Sequence, residues 1–120
     1  MNPVQEAVEL LRAALEGITG VRHYRLMSGP VDPPASVLAP PALQWQALGS
    51  DPTDATFRVA LVVARDDRTV DQLIALYGLV VDALDGIDGA RVQVRSAEPG
   101  VYPAGGVELP AYLFDVDVSL

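Results

Sequence analysis

Apolar residues recur at three- and four-residue steps near the start of the chain, the spacing of one side of an α-helix. This pattern predicts a helix over residues 3–18. Asn2 is a good N-cap, a proline follows at the first helical position, and Gln5 completes the spacing of a capping box. We expect the helix to end at Gly17 and Gly20.

The same periodicity returns in the second half of the chain and predicts a helix over residues 70–85. Thr69 and Gln72 have the spacing of a capping box, and Gly86 ends the helix. Leu79 lies roughly opposite the apolar stripe and is expected to be exposed. The predicted buried stripe comprises Val70, Leu73, Ile74, Tyr77, Val80, Val81 and Leu84.

Other stretches alternate apolar and polar residues, which is the period of a half-buried β-strand. Pro40 and Pro41 separate two of these strands and place the first at a sheet edge or a bulge. The strand at 56–65 is apolar on both faces, so we expect it to be covered on both sides. Strands are predicted over residues 21–26, in two short pieces within 36–48, and over 56–65, 90–96 and the chain end.

The alternation continues to the last residue, which predicts that the chain end belongs to the core. Asp115 and Asp117 fall on the other side of this strand, where Arg91 and Arg95 of the preceding strand are expected to pair with them. The predicted core side comprises Tyr112, Phe114, Val116, Val118 and Leu120.

The order of these elements predicts an α+β fold. We expect a mainly antiparallel sheet of about four to five strands, with two helices packed on one face. The 120 residues contain no internal repeat and no linker, so residues 1–120 are interpreted as a single domain.

Two long segments rich in proline and glycine, 27–36 and 97–108, are predicted to be irregular loops. Long loops in a small domain are usually functional, and prolines lower the entropy cost of ordering them against a partner. We therefore expect a neighbouring subunit to contact these loops and the exposed side of the second helix. The predicted interface residues are Pro30, Pro33, Pro34, Leu76, Leu79, Tyr102 and Pro103.

The composition narrows the classes of function. The net charge is −8, and all eight basic residues are arginines. An acidic surface argues against nucleic-acid binding, which needs cations to replace phosphate counterions. The chain has no cysteine, which excludes disulfides and thiolate metal sites. Its start lacks a basic region, and the longest apolar run, 59–64, is too short to span a bilayer, so we expect a soluble protein without a membrane partner.

Catalytic signals are weak. His23 is the only histidine, and no cysteine or serine in a nucleophile context accompanies it, which favours a structural role. Asp82, Asp85 and Asp88 are spaced three apart, whereas a calcium loop places oxygen ligands at alternate positions, so a helix end and a turn are favoured. No catalytic residue, metal site or cofactor is predicted.

Five stretches together resemble the tail terminator proteins of long-tailed (siphovirus-type) bacteriophages, particularly those of actinobacterial hosts. The resemblance lies in the order of the stretches, the placement of the loops and the general residue pattern, and it covers nearly the whole chain. The stretches are "NPVQEAVELLRAAL", "PPALQWQALGS", "ATFRVALVVA", "TVDQLIALYGLVVDAL" and "LPAYLFDVDVSL".

The resemblance implies a structural virion protein, assembled in the host cytoplasm and located at the head-proximal end of the tail. Such a subunit forms a homo-hexameric ring that caps the tail tube, ends tube polymerisation and presents its other side to the head–tail connector. DNA passes through the ring without specific binding. In that setting Asp115 and Asp117 are expected to face the bore, where negative walls repel phosphate.

Two alternatives stay open. Another ring-forming protein of the head–tail neck would share the size, acidity and loops of this chain. A small-molecule-binding module or small enzyme would instead have a concave, polar-lined pocket, and a pocket that contains His23 and a perturbed carboxylate would favour it.

Overall fold

The fold is α+β, as predicted, and consists of two helices packed on a six-stranded, mostly antiparallel sheet. A computed structural model describes residues 2–24, 30–46, 49, 51–87 and 91–120. The elements are α1 (Pro3–Glu16), β1 (Arg22–Tyr24), β2 (Ala35–Leu38), β3 (Ala42–Gln44), β4 (Asp54–Val62), α2 (Thr69–Asp85), β5 (Arg91–Ala104) and β6 (Val107–Ser119).

The strands follow the order β1-β2-β4-β6-β5, and β3 pairs with β4 on a separate branch. Among the described strands, only β1 and β2 pair in parallel. Because β6 is antiparallel to both of its neighbours, β4 and β5 run in the same direction on either side of it. Strands that run in the same direction need a long crossover connection, which is usually a helix. Here α2 forms that connection between β4 and β5.

The first helix begins as its sequence predicts. The Gln5 amide donates to the Asn2 side-chain oxygen at 2.8 Å, and the Asn2 amide donates to the Gln5 side-chain oxygen at 2.9 Å, which completes the capping box. The helix ends at Glu16, two residues before the predicted end, and Gly17 is its C-cap. Gly20 follows with φ of +84°, a conformation that favours glycine.

The capping box predicted for the second helix is wrong. Arg68 is the N-cap of α2, and it makes no capping hydrogen bond through its side chain. The Thr69 hydroxyl instead donates to the Ala64 carbonyl at 2.8 Å and accepts from the Asp66 amide at 3.0 Å. These bonds fasten the start of α2 to the segment that leaves β4, so Thr69 orders the loop and does not cap the helix.

The main core lies between the two helices and one face of the sheet. It is built from large side chains that are fully buried, so it supplies most of the hydrophobic stabilisation. Its fully buried members include Leu11 and Leu15 of α1, Val80 and Leu84 of α2, Phe57, Val59 and Leu61 of β4, and Phe114 and Val116 of β6.

A second, smaller core covers the opposite face of the sheet. Ala60 and Val62 of β4 contact it, whereas Phe57, Val59 and Leu61 face the main core. The prediction that this strand is covered on both sides is therefore confirmed. The buried members of the second core are Val37, Ala60, Val62, Tyr102, Ala104 and Ala111.

The irregular segment predicted over 97–108 is wrong, because β5 and β6 continue through it as one long hairpin. The hairpin turns at Gly105 and Gly106, whose φ angles of +58° and +88° suit a two-residue turn. Pro99 and Pro103 lie within β5, a position that proline tolerates only in an edge strand, where its missing N–H needs no partner.

The other strand predictions hold with smaller changes. β1 covers Arg22–Tyr24, and residues 25 and 26 of the predicted strand lie outside the described residues. β2 and β3 both pair with β4 and are separated at the two prolines, as predicted. The prolines were predicted to mark a sheet edge or a bulge: β2 is not an edge strand, because β1 pairs with its other side, and the register fits the bulge, since residues 38–42 oppose only residues 56–59 of β4.

The chain end belongs to the sheet, as predicted. Val116 and Val118 are buried in the main core, and the Leu120 amide donates to the Thr53 carbonyl at 2.9 Å. The Leu120 side chain is 36% exposed, so the core side of β6 effectively ends at Val118.

Candidate assembly surfaces

The apolar stripe of α2 divides into a buried and an exposed part. Leu73, Val80 and Leu84 are buried, whereas Val70, Ile74 and Tyr77 are 70%, 53% and 45% exposed. The prediction that all these residues are buried is therefore wrong for those last three. The apolar arc of α2 is wider than the area that α1 and the sheet cover, and its uncovered side carries large side chains.

The uncovered part of α2 forms a continuous surface. Val70, Ile74 and Tyr77 are spaced by four and three residues, which places them on one side of successive turns. Leu79 is 41% exposed, as predicted, and helical geometry places it on a different side from Ile74. Leu76 was expected on the exposed side, but it is partly buried against the main core.

The two proline-rich segments meet each other within the chain. A Cβ added at Gly105 would lie 3.2–3.3 Å from atoms of Pro30, so the hairpin turn rests directly on that residue. Pro30 and Pro103 are exposed, whereas Pro33 and Pro34 are partly buried. Residues 27–29 of the first segment lie outside the described residues.

Tyr102, another predicted interface residue, lies in the second core and is only 8% exposed. Its burial removes water from the phenol and raises the pKa of its hydroxyl above the ordinary value of 10.0. Little of its side chain is left for a neighbouring subunit. Val101 and Val107, near the end of the hairpin, are 52% and 58% exposed and offer apolar surface instead.

Paired charges occupy the face of the sheet that carries Asp115 and Asp117. Arg58 donates from Nε and Nη2 to Asp115 Oδ1, each at 3.2 Å. Arg95 nitrogens lie 3.9 Å from Asp115 Oδ2 and 3.7 Å from Asp117 Oδ2, so the predicted pairing is confirmed for Arg95. Arg91 faces Ser119 in the strand register.

Sequence reasoning missed Arg58, although it provides the shortest of these ion-pair contacts to Asp115. The signal was a charged residue beside the apolar Ala60 and Val62 on the second face of β4, which also carries Asp54 and Thr56. The pairing of β4 with β6, which places Arg58 directly opposite Asp115, was needed to interpret it. Two arginines thus balance the two predicted bore-facing aspartates, which reduces the negative potential they create.

His23 has a structural partner that sequence reasoning also missed. Its Nδ1 lies 2.9 Å from Ser36 Oγ, and the two residues are neighbours in the parallel pair of β1 and β2. Ser36 is fully buried, so its hydroxyl is inaccessible to a substrate. This arrangement fits a part-buried polar pair that holds two strands together better than a catalytic dyad.

The predicted helix end and turn at the aspartates is confirmed in its described part. α2 ends at Asp85, and Gly86 caps it, whereas Asp88 lies outside the described residues. Within the described ranges, no group of three or more histidine, cysteine, aspartate or glutamate residues is arranged to hold a metal ion. None of the described helices is long and apolar enough to cross a membrane.

The β3 strand is exposed along its whole length even though it pairs with β4. Leu43 is 36% exposed, and Trp45, which follows the strand, is 51% exposed. Leu43 faces Ala55, a member of the main core, so it lies on the same side of the sheet as the helices. The main core therefore ends in uncovered apolar side chains at this edge.

No protein-family model matches the chain, and no curated protein matches it either.

Proposed function

We propose that this chain is a structural subunit that forms a hexameric ring on the end of a phage tail tube. The ring ends tube polymerisation and joins the tail to the head connector. The resemblance of five stretches of sequence to tail terminator proteins supports this function. The α+β fold, with two helices on a sheet, agrees with the small subunit that the resemblance implies.

The observation that carries the proposal is the exposed apolar surface in separate parts of this small chain. Val70, Ile74 and Tyr77 of α2 form one such surface, and β3 with Trp45 forms another. A ring requires a heterologous contact, in which one surface meets a different surface of the next subunit. Separate apolar surfaces suit such a contact, whereas a monomer rarely retains large uncovered patches.

The charge of the chain fits a ring through which DNA passes. Each chain carries a net charge of −8, and six copies multiply that charge. The paired Arg58, Arg95, Asp115 and Asp117 make a polar face without a cluster of free cations. Phosphate binds these two arginines weakly, because Arg58 and Arg95 are already engaged by carboxylates.

A ring-forming neck protein is the nearest alternative, and it would use the same exposed surfaces. The enzyme alternative is less well supported, because the hydroxyl beside His23 is fully buried. The partner distinguishes the first two functions: a terminator binds the end of the tail tube, whereas a neck protein binds the portal-side connector.

The test is the native mass of the purified protein across concentration, followed by negative-stain imaging. We expect a closed sixfold ring that co-sediments with tail tubes and limits their length when added during polymerisation. A ring that does not bind tail tubes but binds the connector would support the neck function. A chain that neither forms rings nor binds either structure would contradict the proposal.

A further inference from the structure

The part of the sheet that contains β3 and the start of β5 has an open strand edge on each side. Among the described residues, β5 pairs only with β6, and β3 pairs only with β4. The residues of these four strands form continuous rows, such as Gln44–Asp54–Ser119–Arg91. The two edges therefore lie at the same level of the sheet, on its opposite sides.

The two edges have matching direction and length. β3 is antiparallel to β4, and β5 runs in the direction of β4, so the two edges form an antiparallel pair when two copies stand side by side. The part of β5 that follows Val94 is unsuited to pairing with another strand, because a bulge lies between Val94 and Ser96 and Pro99 and Pro103 lack a backbone N–H. The open window, Arg91–Val94, is about as short as β3.

The faces of the two edges also match. Leu43 of β3 and Val92 of β5 lie on the helix side, since their row partners Ala55 and Val118 belong to the main core. Ala42 and Gln93 lie on the opposite side, where their row partners are Thr56 and Asp117. Pairing Leu43 with Val92 continues the apolar side across the junction, and it sets Ala42 opposite Gln93.

The same register brings complementary charges together. It sets Gln44 of one copy opposite Arg91 of the next, and Asp54 lies one strand beyond Gln44. Arg91 and Asp54 are then two strand spacings apart, about 9–10 Å between their backbones, and a long arginine side chain that leans across Gln44 can reach the carboxylate. Among the described residues, neither Arg91 nor Asp54 has an oppositely charged partner within 4.0 Å.

We propose that copies of this chain join by strand addition, with the β3 edge of one copy pairing antiparallel to Arg91–Val94 of the next. This contact is heterologous, as a ring requires, and it continues the sheet from subunit to subunit. The inference rests on the proposed ring and names the surfaces that build it. The occupant of each edge is a second copy, because direction, length, face and charge all match within this one chain.

Cross-linking tests the pairing directly, since the natural chain has no cysteine. Ala42→Cys and Gln93→Cys are made singly and together and treated with a short bismaleimide at the highest soluble concentration. Neither single variant should cross-link, and their mixture should give covalent dimers only. The double variant should give a ladder up to the full assembly. A second double variant, Gln44→Cys with Gln93→Cys, places the thiols on different rows and should react more slowly.

A charge exchange gives an independent readout. Arg91→Glu and Asp54→Arg should each weaken association by about tenfold, and the double variant should recover most of it, because the exchanged charges attract again. Circular dichroism and thermal unfolding of each variant establish that the subunit remains folded.

The possible results separate this inference from the proposed function. Ring formation without Ala42–Gln93 cross-links would overturn the strand pairing and leave the tail-capping function standing. Cross-linking of Gln93→Cys alone would also overturn it, because β5 would then pair with another β5. Cross-linked ladders that do not bind tail tubes would support the pairing and contradict the capping function. A chain that stays monomeric and gives no cross-link overturns the pairing, since strand addition needs no other protein.

Discussion

The two helices have similar amphipathic sequences, yet the fold uses them differently. Leu11 and Leu15 of α1 are fully buried, and a complete capping box starts that helix. In α2 three of the seven residues of the apolar stripe are exposed, and no side chain caps the start. The comparison shows that an amphipathic pattern reports how much apolar surface a helix carries, and not how much of it the same chain covers. The surplus on α2 is surface available for assembly.

The largest expected effect separates the buried residues of the α2 stripe from its exposed residues. Leu84→Ala should lower the free energy of unfolding by about 2–5 kcal/mol, because it removes a fully buried side chain and leaves a cavity. Ile74→Ala should change it by about 0.5 kcal/mol or less, since Ile74 is 53% exposed. Urea unfolding followed by circular dichroism measures both.

Leu15→Ala in α1 is the matched control, since Leu15 is also fully buried. It should cost about as much as Leu84→Ala. Similar losses for Leu84→Ala and Ile74→Ala would show that the α2 stripe is buried as one unit, contrary to the structure. Because association adds stability, the comparison is made at a concentration where every variant is monomeric.

A smaller effect distinguishes the two helix starts. Asn2→Ala should cost about 0.5–2 kcal/mol, because it leaves the Gln5 amide without its side-chain acceptor. Gln72→Ala should cost much less, because Gln72 takes no part in a capping box. Thermal unfolding of the two variants beside the natural chain tests this, and an equal loss for both would mean that α2 is capped after all.

The start of α1 was predictable because its determinants lie within four residues of one another. The split stripe of α2 was not, because it depends on where α1 and the sheet end. The β5–β6 hairpin was missed for another reason. Its Gly105–Gly106 turn was a usable signal, but Pro99, Pro103 and Pro110 suggested a loop, and only the edge position of β5 explains why the first two are tolerated.

The assembly surfaces were predictable only in part. Leu79 was recognised from its position on the helix, and it is exposed. Tyr102 was placed in an interface because its surroundings resembled a loop, and the long hairpin instead buries it in the second core. The open β3 and β5 edges could not be predicted from the sequence, because an edge is defined by which strands pair and not by the residues of one strand.

The smallest expected effect on folding accompanies a large one on assembly. Leu79→Glu should leave the free energy of unfolding within about 0.5 kcal/mol, since the side chain is 41% exposed and outside the buried stripe. It should weaken association by about tenfold, because a charge would be buried at an apolar contact. Ile74→Glu tests the other exposed side of α2 in the same way.

Ala13→Glu is the matched control, because Ala13 is an exposed alanine of α1, outside the apolar surface of α2, and the change adds the same charge. Sedimentation velocity across a concentration series measures association for all three variants. If Ala13→Glu weakens assembly as much as Leu79→Glu, added negative charge on an already acidic chain explains the loss. If only Leu79→Glu and Ile74→Glu do so, the uncovered apolar surface of α2 contributes to the contact between subunits, which is the role that its difference from α1 implies.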